Sequence, residues 1–151
     1  MTETLAQALI NFAAFACVGI AATGSAYGCG VAAASAIGSW KRCYALGKPV
    51  PFQLAIITGV PMSQTFYGLI VMLQIMNIAT TFWPAALACG IFGGLGIAIS
   101  AAFQGRAAAG ACDAFAETRK GFVNYLLALG IIETIAIFVM IFAIMFIGKC
   151  K

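Results

Sequence analysis

Apolar residues run through this chain almost without a break, and its eight basic and four acidic residues mark where the runs end. After Glu3 no charge appears until Lys41, Arg42 and Lys48. The next is Arg106, followed by Asp113, Glu117, Arg119 and Lys120, and Glu133 stands alone before Lys149 and Lys151. The long central run divides at Ala79-Thr80-Thr81-Phe82-Trp83-Pro84, because proline disfavours helix in the residue before it. The pattern predicts helices over about 5–38, 53–80, 85–112 and 122–148. Each exceeds the ~20 residues that cross a bilayer. The expected fold is an all-α membrane protein of four transmembrane helices, arranged as two hairpins over 1–80 and 85–151.

Composition sharpens this picture. With 64% hydrophobic and 8% charged residues and a mean hydropathy of +1.06, the chain departs from soluble domains, which carry about 25% charge. That excludes a soluble enzyme, a disordered tail and a nucleic-acid binder. The net charge of +4 is no phosphate-seeking patch, since the basic residues gather at segment ends and in the expected loops. Lys41, Arg42 and Lys48 in the first hairpin loop, and Arg119 and Lys120 in the second, place both loops in the cytoplasm and both termini outside. Lys149 and Lys151 weigh against that orientation, but they are fewer. The N-terminus has no basic residue ahead of its apolar run, so a cleaved secretory signal is not expected. Six scattered Cys with no CxxC spacing read as small apolar residues, and the absence of His removes haem, most zinc chemistry and His-based nucleophile pairs.

The hairpins resemble one another. Gly30-Val31-Ala32-Ala33-Ala34-Ser35-Ala36 matches Gly105-Arg106-Ala107-Ala108-Ala109-Gly110-Ala111 at an offset of 75, as Gly19 and Ser25 match Gly94 and Ser100. Gln64-Thr65 matches Glu133-Thr134 at an offset of 69. Gly and Ala supply half of the first helix and over half of the third, while Leu, Ile, Phe and Met fill the second and fourth. The spacings Gly24-x-x-x-Gly28 and Gly90-x-x-x-Gly94 suit close helix packing. Ordinary packing in one bundle accounts for part of this. Two helices half made of small residues suggest close packing on more than one face, which a ring with helices one and three crowded inside and two and four outside would fit.

One carboxylate carries the chemical interest. Glu133 lies in an otherwise apolar span, where a charge costs ~2.5 kcal/mol or more, so it must be protonated, paired with a cation or coordinating one. Gln64 and Gln104 are amides in apolar stretches of helices two and three. Counted from the cytoplasmic loops at 1.5 Å per residue, all three lie ~13–17 Å deep, at one level. Around Gln64, Pro61 kinks the helix and frees nearby carbonyls such as that of Val60, Ser63 adds a hydroxyl, and Tyr67 sits one turn on, within reach of a carboxylate. The donors are hard oxygens with a single charge. That set suits Na⁺ better than a divalent ion, and has two amides more than a proton site needs.

These residues resemble the membrane proteolipid (the c or K component) of V-type rotary ATPases. The likeness rests on the doubled hairpin, the Glu in Gly130-Ile131-Ile132-Glu133-Thr134, and Pro61-Met62-Ser63-Gln64-Thr65-Phe66-Tyr67-Gly68. With Gln104, the last motif is similar to the sodium-translocating bacterial branch, although Ser63 stands for that branch's Thr and Val60 for its Leu. The resemblance implies a homo-oligomeric rotor ring with Glu133 as ion carrier. Gln64, Gln104, Ser63 and the Val60 carbonyl would be Na⁺ ligands, and Tyr67 would hold Glu133. It also implies partners, namely identical subunits, a stator membrane subunit with a basic residue and central-stalk subunits at the cytoplasmic loops. The expected setting is a bacterial plasma membrane, with ATP chemistry on other subunits and no nucleic acid bound. Three other readings stay open: the same ring carrying H⁺, a four-helix dimeric exporter of cationic drugs, and a purely structural ring or pore.

Overall fold

The computed structural model describes residues 2–150. Four long helices organise it: α1 (Glu3–Ala45), α2 (Gln53–Ile75), α3 (Thr80–Thr118) and α4 (Phe122–Ile147). Each is long and apolar enough to cross a membrane. They form two hairpins that share one bundle, so the chain is a multi-pass all-α membrane protein. Lys151, one of the charges set against the expected orientation, lies outside the described residues.

Charge did not stop the helices where expected. α1 continues past 38 to Ala45, so Lys41 and Arg42 are helical rather than in a loop; α3 likewise runs past 112 to Thr118. The extensions support each other, because Arg42 reaches across to Asp113 and Glu117 (2.7 Å to Glu117). A charge ends a membrane span, not a helix. Lys48, Arg119 and Lys120 do lie in the connecting turns. α2 closes at Ile75, short of 80. α3 opens at Thr80 rather than 85, with Pro84 inside its first turns, where its missing N–H breaks no intrahelical bond. The Ala79 N–H donates to the Cys150 carbonyl (3.1 Å), which brings the α2–α3 turn beside the chain's last residues. At the other end, Gly47 (φ 60°) and Gly121 (φ 82°) supply the left-handed backbone of the two hairpin turns.

α1 and α3 run parallel and form the central seam. A Cβ on Gly24 would collide with the Ala98 backbone, one on Gly90 with that of Ala13, and one on Gly94 with Cys17 at 2.9 Å. Gly28 and Gly105 meet backbone to backbone. Both small-residue spacings therefore lie on one interface, where close approach maximises dispersion contact in the absence of water. A five-residue π-helical segment, Cys89–Gly93, interrupts α3 beside this seam. α2 lies on α1 through Gly68, packed against Ala21 and Val18, and α4 lies on α3, with Val139 over Gly96.

Candidate ion site

Local backbone geometry presents the α2 side of the site. Pro61 offers no N–H to the carbonyl four residues earlier, and Val60–Met62 tightens into a 3₁₀ turn within α2. Pro61 is buried against the Gly28 position of α1. Beyond this turn, Ser63 and Gln64 share one turn of the helix and Tyr67 sits one turn on, with Gln64 fully buried and Ser63 and Tyr67 half-buried.

Gln64, Gln104 and Glu133, placed at one depth by counting, come together in the fold. Gln64 Nε2 donates to Gln104 Oε1 (2.6 Å). Gln104 Nε2 donates to the Leu129 carbonyl (2.9 Å) and to Glu133 Oε2 (3.4 Å). Both glutamines are 0% exposed, so their bond to each other and the bond to Leu129 are buried, while the bond to Glu133 is part-buried. Tyr67 OH (2.6 Å) and Ser63 Oγ (2.5 Å) both donate to Glu133 Oε1. The residues from α2, α3 and α4 thus converge on one carboxylate.

Around Ser63 the oxygens outnumber the hydrogens. Its hydroxyl lies 3.1 Å from the Val60 carbonyl, 3.3 Å from Gln64 Oε1 and 2.5 Å from Glu133 Oε1, yet it owns one proton. The Gln64 amide nitrogen is committed to Gln104, which turns Oε1 towards this cluster. If Ser63 donates to the carboxylate, Gln64 Oε1 is left facing other oxygens, and the Val60 carbonyl keeps only the backbone N–H of Ser63. Such a cluster is a place where positive charge is favourable. Among the described residues no three His, Cys, Asp or Glu side chains converge. The donor set is therefore one carboxylate with neutral oxygens.

Two contributors escaped the sequence. The Leu129 carbonyl orients Gln104, and Ser100 Oγ donates to the Ile132 carbonyl (2.9 Å), tying α3 to the turn of α4 that bears Glu133. Backbone acceptors carry no residue-type signal; Ser100 was visible only as the repeat mate of Ser25. Thr134, the neighbour of Glu133 in the repeat match, is exposed and bonds its own helix at Ile131 (2.7 Å).

Residues 87–146, spanning most of α3 and α4, match the family model of the ATP synthase C subunit. The matched stretch holds Gln104 and Glu133 and covers well under half of the chain, so it shows a likeness of the second hairpin to that model. Ser63, Gln64 and Tyr67 lie in the first hairpin, outside the matched stretch. No curated protein matches the chain.

Proposed function

We propose that this chain, whose second hairpin is similar to the ATP synthase C subunit, is the ion-carrying proteolipid of a V-type rotor ring, with Na⁺ as its cargo and Glu133 as the carrier. The observation that carries the choice of ion is the crowding of oxygens about Ser63. One proton on Glu133 would add a single donor. A small cation would instead be drawn by Glu133, Ser63, the Gln64 amide oxygen and the Val60 carbonyl together. Tyr67 holds the carboxylate from one side, and Gln104 anchors both Gln64 and Glu133. Pro61 serves by shaping the turn that offers Val60.

The mechanism follows from desolvation. One Na⁺ and one carboxylate sum to zero, so the loaded site can turn past lipid, whereas an ionised Glu133 alone would cost ~2.5–3.5 kcal/mol or more. Loading and release then belong where a stator subunit admits water and presents a fixed positive charge. Orientation rests on Lys41, Arg42, Lys48, Arg119 and Lys120 at one end of the bundle, read as cytoplasmic and facing the central stalk of a bacterial plasma-membrane complex.

The test is the rate at which a carbodiimide modifies Glu133 in the isolated assembly near neutral pH. The reagent attacks protonated carboxyls. Protection by millimolar Na⁺ but not K⁺, fading as pH falls, is the expected result. Labelling that follows pH alone makes the cargo H⁺ and leaves both glutamines structural.

A further inference from the structure

Among the described residues one buried side-chain oxygen has no hydrogen-bond partner, and it is Ser25 Oγ of α1. Ser25 is 5% exposed, and an unmatched hydroxyl in such a place is costly. Thr23, Thr58, Thr118 and Thr134 all fold back onto carbonyls of their own helices, at 2.7–2.8 Å. Ser25 does not. Its hydroxyl is turned away from the α1 carbonyls and into the bundle.

Two registers put that hydroxyl level with the ion site. α1 and α2 are antiparallel, and their contact is pinned where Ala21 lies on Gly68 and Gly28 lies on Pro61. Ser25 stands four residues after Ala21 and three before Gly28. Gln64 stands four before Gly68 and three after Pro61. The two residues thus hold matching places in one contact, and both are buried. The internal repeat agrees: at an offset of 75 Ser25 corresponds to Ser100, and at 69 Gln64 corresponds to Glu133. Ser100 Oγ donates to the Ile132 carbonyl (2.9 Å), beside Glu133. The first hairpin makes no such bond. There α2 tightens into its 3₁₀ turn just before the corresponding carbonyl, that of Ser63, whereas α4 runs unbroken.

Gln64 carries the complementary deficit. Its Nε2 is committed to Gln104, and its Oε1 faces Ser63 Oγ (3.3 Å), whose one proton lies closer to Glu133. A cation among those oxygens satisfies Oε1, and its departure leaves Oε1 facing oxygens alone. We propose that Ser25 is a positioning residue for ion release: in the emptied site Gln64 Oε1 turns from the Ser63 cluster and accepts a hydrogen bond from the Ser25 hydroxyl. The loaded site leaves Ser25 unmatched and the emptied site satisfies it, so the hydroxyl favours release. The inference rests on the Na⁺ reading of Glu133. It deepens that reading by giving α1, which supplies no ligand, a part in letting the ion go.

Carbodiimide labelling of Glu133 against Na⁺ concentration, on the intact assembly at fixed pH, tests it. Ser25→Ala removes the cost borne by the loaded site. Na⁺ should then half-protect Glu133 at a concentration about tenfold lower than in the wild type. A hydroxyl that only packs would give no shift, or a rise. Ser100→Ala is the control, because its hydroxyl is already bonded in this geometry. It should need as much Na⁺ as the wild type, or more. An unmoved Ser25→Ala, or a Ser100→Ala that tightens equally, overturns the inference. Ser25→Cys, close in size and a poor donor, should fall between Ser and Ala, and it decides the matter if the alanine variant loses the native mass of the assembly. A wild-type Glu133 that Na⁺ does not protect sinks the sodium reading itself, whereas a protected wild type with unmoved Ser25 variants sinks only the role of Ser25.

Discussion

At the scale of single residues, the site is a set of hydrogen bonds whose removal has graded consequences. Tyr67→Phe deletes one donor to Glu133 Oε1 and leaves the ring in place. A bond to a charged group contributes ~1.5–3 kcal/mol, so Na⁺ should protect Glu133 from carbodiimide only at concentrations about ten- to a hundredfold higher. Gln104→Ala should do at least as much damage. It strips the acceptor from Gln64 Nε2, which is fully buried. Unchanged protection in both variants would mean that neither residue acts on the ion. Glu133→Gln should abolish labelling and transport while leaving the assembly's native mass intact, since an amide can still accept from Tyr67 and Ser63. Much of this was legible beforehand, because depth along a helix follows from counting at 1.5 Å per residue, and Gln64, Gln104 and Glu133 stand out against apolar neighbours. The choice of partners was not legible. That Gln104 bonds Leu129, and that three acceptors crowd one Ser63 proton, depends on side-chain torsions and backbone carbonyls that a sequence does not spell out.

At the scale of elements, two kinds of contact hold α1 to α3, and they differ greatly in weight. The ion pairs of Arg42 with Asp113 and Glu117 are exposed, and such pairs contribute little once water screens them. Arg42→Ala should leave the melting midpoint in detergent almost unmoved. The glycine seam behaves otherwise. Gly24→Val would force a branched side chain into the Ala98 backbone, which cannot yield without separating the helices. The expected outcome is loss of folded protein, read as a collapse of the detergent-soluble fraction. A Gly24→Val chain that melts like the wild type would show that α1 and α3 are not packed as described. Helix existence was plain from the apolar runs, and the Gly24 and Gly90 spacings announced a tight seam. The ends of α1 and α3 were misjudged because charged side chains were taken as boundaries, although Arg42 and Asp113 pair between two helices that both continue. The π-helical segment at Cys89–Gly93 left no signature in the residue pattern beyond a cluster of glycines.

At the scale of the whole molecule, what needs explaining is the repeat with one mid-span carboxylate, Glu133. Gln64 stands where Glu133 stands in the other hairpin, and it now supports that residue's site instead of forming its own. The two hairpins therefore share one mid-span carboxylate, while the geometry relating the hairpins remains available for use between chains. Gly30 tests whether it is used. Glycine inside a helix costs about 0.5–1 kcal/mol relative to alanine, and within the single chain nothing approaches Gly30 closely enough to require it. Gly30→Leu should therefore leave the individual chain folded, with unchanged helix content. If a neighbouring copy packs there in the proposed ring, the added side chain should drive the native mass from a large assembly down to single chains. Gly110→Leu makes the same change on α3, at a glycine whose Cβ would also meet nothing within the chain. In the proposed ring this open face of α3 would also meet a neighbouring copy, so the change should weaken assembly as well. Full-sized assemblies from both variants would mean that these open faces look onto lipid, and that copies of the chain meet elsewhere.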